Sequence, residues 1–439
     1  MEINRTKFLE FLENNGYFKI NIQDRYYITQ NKDNRIKTVD IISIKDFVLN
    51  YLAENNFIDV REKMLRGVSQ YFNEKVIESI TTKNLNFKND TLHKSFVYFQ
   101  NCYAELTANS IELKEYSELN GVIWAKHIIP RNFEFTENKS DFNIFINNIC
   151  KGNKERIRAL RTSIGYLLHT FKDSANAKSI IFLDENIDDG ANGRCGKSLI
   201  GQAISKVRSV ATADGRRFDT NDRFAYQNVN LDTQIVLFDD VDIKFPFKKL
   251  YHLITAGLEV EKKNKDKIII PFDKSPKYLI TTNYVIKGQD GSDVARKNEI
   301  EFSDYYNKDY SPLNDFWKRF FDDWNEDEWN AFYLYMLRCL KLYLKNGLTA
   351  YQHINLEKKG LIEDTSPEFV DFISKIDLKE SYYKKELYNQ FIEQYEDYEN
   401  NLKQNKFTKW IKEFCKTYGI RSKERFSSGN QIISFIVKK

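Results

Sequence analysis

Gly196-Lys197-Ser198, at the mouth of a helical pattern and preceded by the small-residue loop Ala191-Asn192-Gly193-Arg194-Cys195, is an arrangement that handles phosphate. Successive backbone N–H groups of such a loop and the positive end of the helix aim at one point, where a di- or triphosphate offsets the uncompensated dipole. Lys197 adds a point charge, Ser198 a hydroxyl for a metal, and Cys195 a small side chain. Against the pattern G-x-x-x-x-G-K-[ST], Ala191 stands for the leading glycine, with Gly190 one residue early. Further on, the apolar run Ile235-Val236-Leu237-Phe238 ends in Asp239-Asp240. Paired carboxylates there can divide the work: Asp239 holds Mg2+ together with Ser198, and Asp240 orients or deprotonates an attacking water. A third run, Lys277 to Thr282, ends in Asn283, whose carboxamide can bond both the terminal phosphate and that water. The residues therefore call for a nucleotide di- or triphosphate and Mg2+.

Such groups need elements to aim them. Ile180 to Leu183 form a buried-strand run, while Leu199, Ile200, Ala203, Ile204 and Val207 repeat at helical spacing. Three apolar runs, each followed by a polar residue, predict a parallel sheet with its chemistry at the strand C-termini, placed within residues 145–347. Residues 1–54 read as a small mixed α/β module, winged-helix-like in outline, and 55–144 as helices. Residues 348–373 read as a linker. Residues 374–439 read as two helices and a turn, closed by a strand in which Ile433, Phe435 and Val437 alternate, a winged-helix-like plan.

The 439 residues carry a net charge of only +4, but residues 403–439 hold ten Lys and Arg against two Glu, a net +8. That tail is the footprint of a polyanion partner. The five cysteines form no C-x-x-C pair and the five histidines do not cluster with them, so neither zinc nor a disulfide framework is implied. No apolar run reaches membrane-spanning length and the N-terminus is charged, so a cytoplasmic protein without a membrane partner is expected. From Met1 to about Ser140 the chain shows no carboxylate triad of the kind a primase or polymerase site needs.

In order, ANGRCGKS, IVLFDD and YLITTN resemble the A, B and C motifs of superfamily 3 helicases, in the phage, plasmid and pox-type primase-helicase branch. Phe99-Gln100-Asn101 and Gly121-Val122-Ile123-Trp124 look like the helical domain that precedes the motor in that branch, and the basic tail is similar to its winged helix. The resemblance implies an α/β motor, a P-loop AAA+-like parallel sheet with flanking helices, between a mostly helical N-terminal collar and a C-terminal winged-helix-like domain; the primase domain has no counterpart. It also implies a homo-hexameric ring in which a neighbouring subunit lends an arginine to ATP. Arg296 stands where the family places it, with Lys297 and Arg319 as rivals. Between Gly257 and Ile270 two β-prone runs flank a polar turn with Lys262, Lys263, Lys265 and Lys267 at its tip. In similar helicases that hairpin grips the backbone of single-stranded DNA, a task for lysines because they bind phosphate without reading bases.

The activity so implied is an ATP-dependent DNA helicase or translocase of replication, acting on single-stranded and duplex DNA, with a separate primase or polymerase as a further partner. A chain rich in Lys, Asn, Ile, Phe and Tyr fits an AT-rich phage or mobile element. Two other readings stay open. One is an initiator ATPase that melts an origin and loads another helicase. The other is a P-loop switch of a defence or signalling class.

Overall fold

The computed structural model describes residues 3–22, 24–186, 194–219, 222–242, 245–263, 265–286, 295–427 and 430–436. Helix α1 (Arg5–Asn14) leads into an antiparallel meander of β1 (Tyr17–Ile22), β2 (Arg25–Lys32) and β3 (Arg35–Thr38), followed by α2 (Ile41–Glu54) and α3 (Ile58–Arg66). Between β2 and β3, Asp33 and Asn34 take φ of 53° and 61°, the left-handed pair that a tight hairpin turn demands and that Asp and Asn tolerate. Asp40 caps α2 by accepting from the Ser43 N–H at 2.8 Å.

Next come β4 (Ser95–Tyr98), β5 (Tyr103–Leu106) and β6 (Ile111–Lys114) in a second antiparallel sheet, and β7 (Ile123–Trp124), which joins β3 in parallel. Two expectations change here. The stretch from Ser95 to Trp124 is strand and turn, where the sequence reading expects helices; Phe99-Gln100-Asn101 follows β4, and Ile123-Trp124 is itself β7. All four positions of β4 are buried, so it shows none of the alternation that marks a half-exposed strand. The boundary at residue 54 also cuts a shared core, in which Phe8, Leu12, Ile44 and Val48 pack with Met64, Tyr71 and Ile77.

The central unit begins with α4 (Asp141–Ile149) and α5 (Lys154–Leu168), then β8 (Ser179–Asp184), α6 (Lys197–Ser205), β9 (Val210–Asp214) and β10 (Ile235–Val241). A hairpin of β11 (Leu258–Lys262) and β12 (Lys265–Ile270) follows, then β13 (Lys277–Thr282), β14 (Lys297–Phe302) and the long α7 (Glu326–Asn346). Five strands form one parallel sheet in the order β14-β8-β13-β10-β9. Both faces are buried, as parallel sheets require. Ile180, Phe182, Leu237 and Leu279 face a core shared with α4, α5, α6 and α7, while Ile181, Leu183, Phe238 and Ile280 face one that holds Phe247, Leu250 and Val260. Helices α5 and α7 touch at Gly165, where a Cβ would stand 2.3 Å from the Cys339 carbonyl oxygen.

Beyond Gly347 the chain forms α8 (Leu356–Asp364), α9 (Pro367–Ser374), β15 (Ser381–Tyr383), α10 (Lys384–Gln394), α11 (Gln404–Thr417), β16 (Arg421–Ser427) and β17 (Asn430–Ile436), with strand order β15-β17-β16. Residues 348–373 are thus no linker. They hold two helices whose Leu361, Phe369 and Phe372 share a core with Phe391, Phe407 and Trp410. Among the described residues, no helix is long and apolar enough to cross a membrane.

Candidate functional site

The parallel sheet brings its strand ends to one edge. There β8 ends at Asp184, β13 runs on to Asn283, and β10 carries Asp239 and Asp240. Helix α6 starts beside them with Gly196 as its N-cap at φ 96°, a left-handed backbone that suits glycine; a Cβ there would lie 2.6 Å from the Phe145 ring. Glycine offers no side-chain cap, so the first N–H groups of this nine-residue helix face the loop, a setting that favours an anion. Arg194 is exposed at φ 61°, and Ser198 is exposed on the first turn. Ala191, Asn192 and Gly193 lie outside the described residues.

Lys197 is buried, and its Nζ donates to Asp184 Oδ1 and, at 2.7 Å, to Asn283 Oδ1. The Cys195 thiol also donates to Asp184, and burial pushes that thiol up to about 12, which makes it an inert small side chain and not a nucleophile. Lys359 of α8 enters from the C-terminal zone, donating to the backbone carbonyls of Asn283 and, at 3.2 Å, of Asp184. Its burial lowers it below the usual lysine range.

The register of β10 against β13 shifts between Phe238 and Val241, so the aspartate pair sits in an irregularity of the kind that re-aims side chains next to sites. Asp240 adopts φ 56°. Thr281 Oγ1 holds both residues, donating to Asp239 Oδ1 at 2.6 Å and accepting from the Asp240 N–H at 2.8 Å. Asp239 Oδ1 lies 3.5 Å from Ser198 Oγ, and Asn283 Nδ2 lies 3.4 Å from Asp240 Oδ1. Arg216 pairs with Asp240 Oδ2 at 2.6 Å.

This donor set fits the groups expected of it. A hydroxyl and a carboxylate are hard oxygen ligands of the type Mg2+ takes, with water and phosphate completing its shell. Among the described residues no three His, Cys, Asp or Glu gather into a metal cage, and magnesium asks for none. Beside Asp184 and Cys195 a cavity of about 240 Å³ opens, lined also by Phe302, Asp304, Tyr306 and Lys308.

Lys197, Ser198, Asp239, Asp240 and Asn283 are therefore together. Other predicted residues stand apart. The Arg296 guanidinium lies 4.8 Å from the Tyr251 ring. Lys297 is buried at the start of β14 and donates to the Ile286 carbonyl at 2.5 Å, so it cannot serve a neighbouring subunit in this conformation. Arg319 is exposed and binds Asp323 through Nε at 3.1 Å and Nη2 at 2.9 Å. In the hairpin, Lys262 donates to Asn230 at 2.5 Å, Lys267 pairs with Glu259, and Lys263 is exposed; the side chain of Lys265 is outside the described residues. Arg25 of β2 donates to the Lys267 carbonyl, tying the N-terminal sheet to the hairpin.

Sequence reasoning missed Asp184, Thr281, Arg216 and Lys359. Asp184 and Thr281 carried a usable signal, being polar residues at or next to the end of apolar strands. Arg216 and Lys359 carried none.

No family model matches the chain, and no curated protein does. Among solved structures, the chain is similar to the apo structure of the NrS-1 C-terminal region (305–718), at 13% identity and a TM-score of 0.44, with all of both chains covered. A second, the A form apo structure of the NrS-1 C-terminal region, aligns at 12% identity and a TM-score of 0.43 over 98% of each chain.

Proposed function

We propose that the chain is an ATP-dependent DNA helicase or translocase of replication that works as a ring of six subunits on single-stranded DNA. The observation that carries the reading is the convergence of Lys197, Ser198, Asp239, Asp240 and Asn283 at one edge of a parallel sheet, beside an uncapped helix terminus. Bound ATP would place a terminal phosphate where Lys197 and Asn283 can donate to it, sharing the Lys197 ammonium with Asp184. Magnesium bound by Ser198 and Asp239 would neutralise charge on the phosphates. Asp240 would accept a proton from the attacking water, with Arg216 and Asn283 holding its carboxylate. Arg296, from a neighbouring subunit, is the proposed donor to the transition state.

The order helix, strand, helix, helix, strand, strand in residues 367–436 supports a winged helix, with α11 presenting exposed Lys406, Lys409, Lys412 and Lys416 to duplex DNA. One observation favours the initiator reading: Lys262 and Lys267 are bonded within their own chain, so the hairpin as seen is anchored.

Steady-state phosphate release per molecule should rise with protein concentration and with added single-stranded DNA, because each site is completed by a neighbour. Replacing Lys262, Lys263, Lys265 and Lys267 together by Ala should remove the DNA response and strand separation while basal hydrolysis stays. Turnover indifferent to both concentration and DNA sinks the ring mechanism; DNA-stimulated turnover without unwinding of long duplexes selects the initiator.

A further inference from the structure

The N-terminal sheet does more than cover the motor. Between the start of β2 and the β11–β12 hairpin lies a cleft of about 510 Å³, within the roughly 300–1,000 Å³ range of ligand clefts. Arg25, Tyr26, Trp124, Lys262 and Lys267 are among the residues that line it. Tyr26 is 61% exposed, an unusual state for a large aromatic side chain, and the Lys19 ammonium sits 5.3 Å from its ring. Arg25 spends its hydrogen bond on a neutral backbone carbonyl, so its charge still faces the cleft. Three acids also line it: Asp40 caps α2, Asp232 pairs with Lys126 at 3.3 Å, and Glu78 is exposed. What faces the opening is thus an exposed ring bracketed by cations, continuous with the lysine hairpin.

We propose that this cleft is a binding site for single-stranded nucleic acid, in which one base stacks on Tyr26 and the adjoining phosphate is held by Arg25, before the strand passes to the hairpin. The chemistry is general: every base has a face to stack, and guanidinium and ammonium groups bind phosphate without regard to sequence. The inference rests on the nucleic-acid reading above and adds to it a second contact, on a different part of the chain. Because Arg25 is bonded to the hairpin backbone, a strand bound here would be touched by both elements at once.

The test uses the full chain and a thymidine oligonucleotide carrying 5-iododeoxyuridine, with cross-linked peptides mapped by mass spectrometry and affinity measured by fluorescence anisotropy. Cross-links should fall on Tyr26 or its immediate neighbours. Tyr26→Ala should weaken binding of oligo(dT) roughly ten-fold, and Tyr26→Phe should restore it, because the ring and not the hydroxyl does the stacking. An equal loss on oligo(rU) supports a site that is indifferent to the sugar. If the wild-type chain binds no oligonucleotide, the parent reading fails and this proposal with it. If the wild type binds, yet Tyr26→Ala binds as well and no cross-link maps to β2, the cleft is only a brace and the proposal alone is overturned. A loss confined to duplex DNA overturns it too.

Discussion

The two edges of the parallel sheet each carry a cluster of charges, and they differ in what those charges are left free to do. At the C-terminal edge, Asp239 and Asp240 are half-buried, Ser198 is exposed, and the contacts of Asp239 with Ser198 and of Asp240 with Asn283 are long, at 3.5 and 3.4 Å. At the N-terminal edge, Asp90 and Arg208 are buried to 4% and 1% side-chain exposure and are held by several hydrogen bonds each. Asp90 accepts from Ser95 Oγ at 2.6 Å, Phe96 N at 2.9 Å and Thr170 N at 2.8 Å. Arg208 donates to the carbonyls of Leu168 at 2.7 Å and Phe96 at 2.9 Å. Burial opposes the charge on Asp90, yet Arg208, His169 and these hydrogen bonds hold it below the usual carboxylate range. Nearby, burial brings Lys172 down to about 7 and His169 to about 4. Loose, half-exposed charges with unused ligand capacity make a site, whereas saturated and buried ones make a bolt.

Three substitutions sharpen that contrast. At the open edge, Lys197→Ala should lower ATP turnover by at least about a thousand-fold, an effect far larger than the stability lost by leaving buried Asp184 with the Cys195 thiol and without its ammonium partner. Phosphate release and a melting curve on the same preparation check this, and a variant that unfolds early would move Lys197 to the structural side. At the closed edge, Arg208→Met should do the reverse. It strands Asp90 as a buried, unpaired charge and should cost about 3–5 kcal/mol in denaturant unfolding, with turnover per folded molecule preserved. A smaller effect is expected from acid. His169 is neutral when folded, with Nε2 on the Thr91 carbonyl at 2.8 Å and Nδ1 buried without a partner. Its folded pKa of about 4 lies below the unfolded value near 6.5, so between those pH values the unfolded chain takes up a proton that the folded chain refuses. Stability should therefore fall from pH 6.5 towards pH 4 by up to about 3 kcal/mol and then level off. Melting curves across that range should be flatter for His169→Gln; identical slopes would remove His169 from the bolt.

The open edge was the more legible in the sequence. A strand ending in Asp239-Asp240 and a helix opening on Gly196-Lys197-Ser198 are local patterns, and local patterns survive being read one residue at a time. The hairpin of β11 and β12 was legible for the same reason, since two β-prone runs flank one polar turn. The closed edge joins Asp90, His169, Arg208 and Lys277 from four distant stretches, and nothing in the chain marks them as neighbours. β4 and β5 were hidden because short strands buried on most positions lose their alternation. Lys359 was hidden because it lies in a stretch rich in charge that reads as solvated.

Lys359 also bears on how the molecule can be cut. Its ammonium holds the carbonyls of Asp184 and Asn283, at the ends of the first and fourth strands of the sheet in chain order, and it comes from a helix beyond the parallel-sheet unit. A recombinant fragment stopped at Gly347 would keep all the recognisable motifs and lose the hand that steadies them. Expression boundaries chosen by motif alone should then yield a fragment that turns over poorly; the fragment worth making keeps the core in which Leu361 packs with Phe369, Phe391 and Trp410, and so runs through β17.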